Sequence, residues 1–248
     1  MIDFFSMNTI ADNLKQIRKN IAAACASARR ESDSVKILAA TKTVEPERIG
    51  LLSANGVTLA GENRVQEFLA KYSTMYGASA QELSTICAAT NNCDIEWHFI
   101  GALQTNKVRQ IIDKVTLIHS LDRFSLADEI ERQSHPRGVI TEVLIEINAG
   151  GEDSKSGVSL AKLEDLYQYT LQEPHVRVVG FMPVLPAGAP EYLYAKMEGI
   201  FRSYQSRDPN IRELSMGMSG DYELAIRYGA TIVRLGSCLF GERGGIIR

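Results

Sequence analysis

The amino-acid sequence predicts an α/β fold, a single (β/α)8 TIM barrel preceded by an extra N-terminal helix. Eight short segments rich in apolar and β-branched residues alternate with helical patterns along 248 residues, which matches the strand number and the length of this barrel. Polar residues gather where the predicted strands end, and this is where the fold places its chemistry. The alternative is an open doubly wound sheet, but no Gly-x-Gly-x-x-Gly fingerprint follows the first strand to favour it.

The individual elements follow from the spacing of apolar residues. Residues 8–30 carry Ile10, Leu14, Ile17 and Ile21 at the intervals of an amphipathic helix. Short apolar runs predict strands at 35–41, 57–60, 96–100, 115–120, 142–148, 176–181, 213–216 and 231–235. The patterns between them predict helices at 46–54, 62–73, 104–113, 123–133, 159–171, 190–206 and 220–228. We expect one domain over residues 1–248, with little structure in residues 1–6 and a surface excursion at 74–94.

Composition bounds the class of protein. The net charge of −3 gives no electrostatic argument for binding nucleic acid or an anionic membrane. No apolar run approaches the ~20 residues of a membrane span, and the N-terminus lacks the pattern of a secretion signal, so we expect a cytoplasmic protein. The four cysteines are scattered in a poor zinc pattern, and we predict reduced thiols and no metal site. A closed barrel has no free sheet edge, so we expect a monomer.

The end of the chain carries the most informative pattern. Residues 214–221 (LSMGMSGD) and 231–237 (TIVRLGS) each read as a short strand that runs into a turn of small residues. Such turns expose backbone N–H groups, and the hydroxyls of Ser215, Ser219 and Ser237 add donors, so the two turns predict a cup for a phosphate group. The alternative is a pair of ordinary turns with glycine where the backbone requires it.

Two cations complete this prediction. Arg234 lies between the two turns and cannot readily lose its proton, and Lys42 follows the first predicted strand. A phosphate cup, a fixed arginine and a strand-end lysine together suggest pyridoxal 5′-phosphate (PLP) held as a Schiff base. The alternatives are a Lys42 that extends into solvent and an Arg234 that pairs with Asp221 or Glu223 at the rim of the barrel.

Other polar residues allow simpler interpretations. Asn63 follows the second strand and could cap the next helix or contact a ligand. His98 and His119 lie in apolar strands and are predicted to be hydrogen-bonded core residues. His135 and His175 adjoin prolines and are predicted to be loop residues. Lys155 lies in a loop that could reach the mouth of the barrel.

The sequence resembles the YggS/PROSC family of pyridoxal phosphate homeostasis proteins, which are single-barrel relatives of the alanine racemase N-terminal domain. The resemblance runs from Lys36 to about Arg243 and includes GENRVQE at 61–67 and WHFIGALQTNK at 97–107. The remaining blocks are 40–43, 118–122, 154–157, 214–221, 233–236 and 240–243. Two positions depart from the family pattern, since Val44 stands where a second lysine is frequent and Arg64 where tyrosine is usual.

The resemblance implies roles for particular residues. Lys42 would form the Schiff base with PLP, Arg234 would face the ring nitrogen and Asn63 would lie near the cofactor. The residues implied to surround the phosphate are Ser215, Gly217, Ser219, Gly236 and Ser237, and Met216 joins them in the cofactor-binding set.

Three functions compete at this point. The first is a PLP carrier or buffer that supports vitamin B6 and amino-acid balance, with PLP-requiring apo-enzymes as candidate recipients. The second is a PLP-dependent amino-acid racemase or a related enzyme of weak activity. By resemblance, alanine racemase takes its second base from an added β-domain, and only 12 residues follow Gly236 here. The third is a phosphate-binding barrel enzyme without PLP, which would leave Lys42 unexplained.

Overall fold

The structure is a computed structural model that describes residues 4–76, 95–151 and 156–241, with side chains described from Thr9 onward. The strands are β1 (Lys36–Ala40), β2 (Leu59–Glu62), β3 (Glu96–Phe99), β4 (Leu117–Leu121), β5 (Thr141–Asn148), β6 (Val176–Val184), β7 (Glu213–Met218) and β8 (Ile232–Leu235). The helices are α1 (Phe4–Ser27), α2 (Pro46–Ala54), α3 (Val65–Tyr76), α4 (Val108–Ile111), α5 (Phe124–Ser134), α6 (Leu163–Thr170), α7 (Glu191–Gln205), α8 (Tyr222–Arg227) and α9 (Ser237–Phe240).

The eight strands form a closed barrel in chain order, and every neighbouring pair is parallel. Closure occurs between the first and last strands, where Leu38 of β1 aligns with Arg234 of β8. The predicted (β/α)8 barrel is therefore confirmed. Because all strands run the same way, their carboxyl ends meet at one mouth, and residues distant in sequence converge there.

The barrel divides the apolar core into two parts. An inner cluster fills the lumen with one or two side chains from most strands: Leu38, Leu59, Leu117, Leu144, Val179, Met182 and Ile232. The larger outer cluster lies between the strands and the helices. The predicted stripe of α1, from Ile10 to Ile21, is buried in this outer cluster, and α1 packs beside α8 and α9.

Some element boundaries differ from the predictions. β2 extends to Glu62, which was predicted to begin a helix, because Glu62 still aligns with Phe99 of β3. α1 begins at Phe4 rather than residue 8, and residues 1–3 lie outside the described residues. The predicted helix 104–113 is a 3-10 turn followed by the short α4. The four-residue helix α9 after β8 was not predicted.

Several predictions fall on residues outside the described part of the chain. They include most of the predicted excursion, residues 77–94 with Cys87 and Cys93, and the loop residue Lys155. Among the described residues, no helix combines the length and the apolar character needed to cross a bilayer.

Candidate functional site

Lys42 lies at the carboxyl end of β1, at the mouth of the barrel. β1 ends at Ala40, two residues before Lys42, and its Leu38 points into the lumen. A cavity of about 270 Å³ opens there. Its lining includes five residues predicted from sequence to bind the cofactor: Lys42, Ser219, Arg234, Gly236 and Ser237.

The turns after β7 and β8, where the sequence predicts a phosphate cup, are hydrogen-bonded to each other. Ser219 Oγ accepts hydrogen bonds from the backbone N–H groups of Gly236, at 3.2 Å, and Cys238, at 3.3 Å. Two N–H groups that converge on one oxygen atom are suited to bind an anion. The hydroxyl of Ser219 and the start of α9 at Ser237 lie on the same side of the cavity.

Arg234 is held from below by the strand next to it. Its Nη1 donates to the carbonyl oxygen of Ser215, at 2.6 Å, and to the Ser215 hydroxyl, at 2.9 Å. Burial lowers the pKa of Arg234 to about 10, which leaves the guanidinium charged at neutral pH. No carboxylate of the described residues lies within ion-pair distance, so the alternative rim pairing with Asp221 or Glu223 is not observed. Asp221 instead accepts hydrogen bonds from the hydroxyl of Tyr194 and the N–H of Met218.

A column of polar side chains continues from Arg234 through the barrel. Ser215 Oγ lies 3.0 Å from Nδ1 of His119, and His119 Nε2 lies 2.9 Å from Nδ1 of His98. Both imidazoles are buried, as predicted for hydrogen-bonded core residues. Burial lowers the pKa of His98 to about 4 and that of His119 well below its usual value, so both rings are neutral at pH 7.

The column ends at a cavity at the opposite face of the barrel. This lower cavity, of about 650 Å³, is lined by His98 together with Lys36 and Glu213, which form an ion pair of 2.6 Å. Arg234, at the other end of the column, lines the 270 Å³ cavity at the mouth. The hydrogen-bonded column therefore connects the two ends of the lumen.

The loop that carries Lys42 is fastened by a buried ionic network. Lys71 Nζ, on α3, donates to the carbonyl of Thr41, at 2.7 Å, and to the carboxylates of Glu62, at 2.6 Å, and Glu67, at 2.7 Å. Glu62 also accepts from the Thr41 hydroxyl, and Glu67 accepts the N–H of Thr43. Both chain neighbours of Lys42 are therefore bonded to this network, Thr41 to Lys71 and Glu62, and Thr43 to Glu67.

This network also holds an unusual backbone conformation. Thr43 has φ of +63°, in the left-handed region that costs a β-branched residue about 1–3 kcal/mol. Burial raises the pKa of Glu62, whose side chain is 0% exposed, although the bonds from Lys71 and Thr41 act against that rise. Burial also acts to raise the pKa of Glu67, but the bonds from Lys71 and Thr43 outweigh it and leave the pKa lowered.

Four predicted residues lie outside the lining of the 270 Å³ cavity. Ser215 is buried beneath it, in the column. Gly217, with φ of +96°, lines a neighbouring cavity of about 680 Å³ that shares Ser219 and Arg234 with the first. Asn63 is half-buried, and its carbonyl oxygen would lie 2.2 Å from a Cβ at Gly101, so its backbone is packed tightly against the loop after β3.

Met216 stays a predicted cofactor-binding residue, but its side chain does not line the cavity. Alternation along β7 turns this side chain away from the lumen, and it is completely buried in the outer core. A register shift between Ser215 and Met218 interrupts the alternation of side chains along β7. Met218 is therefore 55% exposed and lines both the 270 Å³ and the 680 Å³ cavities. The methionine at the mouth is therefore Met218.

The sequence interpretation also missed a buried acid near the site. Glu146 lies on β5, and its carboxylate accepts a hydrogen bond from the Ser156 hydroxyl. Burial raises its pKa, as does the charge of Asp122, whereas the charge of Arg234 lowers it. A carboxylate inside the otherwise apolar segment 143–147 was the available signal for this residue.

Comparisons with known proteins give independent findings. The family model described as alanine racemase, N-terminal domain, matches residues 13–244. The pyridoxal phosphate homeostasis protein of Aquifex aeolicus is 44% identical over 237 residues, which cover 94% of this chain and 97% of that protein.

Two solved structures agree with this result. An unknown protein from Bifidobacterium adolescentis superimposes with a TM-score of 0.85 at 34% identity, covering 96% of this chain and 97% of its own. PipY of Synechococcus elongatus, solved with PLP bound, superimposes with a TM-score of 0.75 at 29% identity. That comparison covers 94% of this chain and all of PipY.

Proposed function

Because the chain belongs to the alanine racemase N-terminal-domain family, and within it to the pyridoxal phosphate homeostasis proteins, we propose that it binds PLP reversibly in intracellular PLP homeostasis. In this role the protein is a cytoplasmic, monomeric carrier or buffer of vitamin B6 that supports amino-acid balance and supplies PLP-requiring apo-enzymes. The observation that carries the proposal is the meeting of Lys42, Ser219 and Arg234 at one small cavity.

The donor set of this cavity fits PLP. The cofactor supplies an aldehyde that condenses with a primary amine, beside a pyridine nitrogen and a phosphate group. Lys42 offers the amine, and none of the described residues forms a hydrogen bond or an ion pair with it. The cup formed by Ser219, Gly236 and Ser237 offers hydrogen-bond donors to the phosphate.

Arg234 would face the pyridine nitrogen. A guanidinium donates a hydrogen bond there but retains its proton, so the ring nitrogen stays neutral and the ring withdraws electrons weakly. Ser215 acts indirectly, since its carbonyl and hydroxyl fix the guanidinium. Gly217, with φ of +96°, gives the turn its conformation, and Asn63 stays a predicted residue near the cofactor.

The lining of the cavity favours binding over turnover. Racemisation by two bases requires a proton acceptor on each face of the substrate. Among the described residues that line the 270 Å³ cavity, the titratable side chains are Lys42 and Arg234, and arginine is a poor base. Tyr194 lines the neighbouring cavity, but burial and its bond to Asp221 raise its pKa and commit its proton to that carboxylate.

The visible absorption spectrum of the full chain with added PLP tests the proposal. We expect the absorption band of a Schiff base between PLP and lysine in the wild type, and we expect this band to be lost in Lys42→Ala. Lys36→Ala is the matched control, because Lys36 begins β1 and lines the cavity at the opposite face of the barrel. A band that survives in Lys42→Ala, or is lost equally in Lys36→Ala, would contradict the assignment.

A panel of amino acids then separates the carrier from the enzyme. We expect no robust racemisation or decarboxylation by the PLP-loaded protein, measured by chiral chromatography. Turnover of any L-amino acid that depends on Lys42 would favour the racemase alternative and would require a second base from outside the cavity lining.

A further inference from the structure

A cluster of two imidazoles and one carboxylate lies at the face of the barrel opposite the mouth. Glu131 is on the last turn of α5, His135 begins the 3-10 turn that follows, and His175 directly precedes β6. One nitrogen or oxygen atom from each of these three side chains lies within 4.8 Å of the others.

The two rings converge on one oxygen atom. His175 Nδ1 lies 2.7 Å from Glu131 Oε1, and His135 Nδ1 lies 3.8 Å from the same atom. Ligands at about 2.0 Å from a tetrahedral zinc ion are separated by roughly 3.3 Å. The two observed distances lie about half an ångström below and above that value, so small side-chain rotations would place all three atoms around one ion.

The surroundings orient the ligands rather than neutralise them. The other carboxylate oxygen of Glu131 accepts the backbone N–H of His175 at 2.7 Å, which fixes the carboxylate as an outer partner fixes a metal ligand. Arg132, the nearest arginine in sequence, pairs with Glu129 instead. Among the described residues, the basic side chains within 4 Å of the Glu131 carboxylate are only the two histidines.

Further negative charge lies close by. Glu173, two residues before His175, lies within electrostatic range of Glu131 and Asp128, so three carboxyl groups share this surface. The ring planes of His135 and His175 are inclined at 73° with centroids 4.7 Å apart, so each ring directs its edge differently. An ion held there would experience a favourable field and ligand directions that do not coincide.

We propose that Glu131, His135 and His175 bind a zinc ion, with water completing its coordination. Two imidazoles and a carboxylate are a common ligand set of zinc sites that retain an open position. The ion would tie the end of α5 to the start of β6, whose backbone already meets β5 where Thr141 N–H donates to the His175 carbonyl. This site is separate from the mouth and does not depend on PLP.

Calorimetric titration with ZnCl2 tests the proposal. The full chain is first treated with a chelator and its thiols are alkylated, and the titration is done without PLP. We expect the wild type to bind one ion per chain. In His175→Ala we expect the affinity for zinc to be weaker by a factor of about 100 or more. The reason is that removing even an outer partner of a metal ligand costs about 10–100-fold. Glu129→Gln is the matched control, since it removes a carboxylate from the same helix without removing a ligand.

Two further measurements make the outcome decisive. Zinc should raise the unfolding temperature of the wild type and of Glu129→Gln but not that of His175→Ala, because an ion that binds only the folded state stabilises it. Cobalt substituted for zinc should give the absorption of a tetrahedral ion with nitrogen and oxygen ligands. A wild-type dissociation constant weaker than about 0.1 mM, or an affinity unchanged in both His135→Ala and His175→Ala, would overturn the proposal.

Discussion

Replacing Lys71 by methionine should show how the loop of Lys42 is held in place. Methionine keeps most of the apolar stem but removes all three bonds of the ammonium group. Glu62, completely buried, would then keep only the Thr41 hydroxyl as a partner among the described residues, because its second oxygen already has none. A buried carboxylate deprived of its counter-ion is expensive, so most of the effect arises at Glu62.

The magnitude follows from these contacts. Each of the two bonds to a carboxylate is worth about 1.5–3 kcal/mol, and the bond to the Thr41 carbonyl adds about 1 kcal/mol. Part of this gain is offset by the desolvation of Lys71 itself, which the variant no longer requires. We therefore expect Lys71→Met to lower the free energy of unfolding by about 3–5 kcal/mol.

Urea denaturation at neutral pH measures this loss. Lys114→Met is the matched control, because Lys114 forms an exposed pair with Asp113 and should lose only about 0–1 kcal/mol. Adding Glu62→Gln to Lys71→Met should restore stability, since it removes the buried charge. A loss below about 1 kcal/mol in Lys71→Met, or no restoration in the double variant, would refute the reasoning.

The pH dependence of the variant gives an independent check. Without Lys71, the pKa of Glu62 should rise further above its ordinary value. A carboxyl group with a raised pKa binds more protons in the folded state than in the unfolded state, so stability falls as pH rises above 4.5 through the folded pKa. The deficit of Lys71→Met relative to the wild type should thus be larger at about pH 8 than at about pH 5.5.

Two further predictions concern the barrel itself. The pKa of His98 is about 4 in the folded protein, against 6.5 for an exposed histidine, so between these two pH values the unfolded state binds more protons than the folded state. The free energy of unfolding should therefore fall by about 3 kcal/mol as the pH drops from 6.5 to 4. Urea midpoints that stay flat over this pH range would contradict the prediction. His119, whose pKa is lowered further, adds to the same loss. Gly217→Ala should destabilise the folded protein by about 1–3 kcal/mol. The added Cβ would lie 2.6 Å from Cβ of Ala225, at a position whose φ is positive. Gly220→Ala is the control, and it should change the unfolding temperature little because no atom lies within 4 Å of its added Cβ.

The sequence predicted those parts of the protein that depend on local patterns. All eight strands are present, because each is a short apolar run whose burial needs no knowledge of its neighbours. The proximity of Lys42 and Arg234 could also be predicted from the sequence, because the barrel brings the ends of its strands to one mouth. The predicted roles of the cofactor-binding residues stay predictions, although five of them line one cavity.

The rest depends on tertiary geometry that no local pattern records. A register shift in β7 decides that Met218, and not Met216, reaches the mouth. The partnership of Glu62 with Lys71 requires that β2 end two residues later than its apolar run suggests. His135 and His175 meet only because α5 and β6 end and begin on the same face of the barrel, 40 residues apart in the chain.

The polar column inside the barrel has a fixed proton order. Arg234 can only donate to Ser215 Oγ, so the hydroxyl proton of Ser215 finds its acceptor, among the described residues, at Nδ1 of His119. His119 must then carry its proton on Nε2 and donate it to Nδ1 of His98, which leaves the His98 proton on its own Nε2. Both rings are thereby restricted to one tautomer. Nitrogen-15 spectra of His98 would therefore report, from the base of the barrel, whether a ligand at the mouth has drawn the guanidinium away from Ser215.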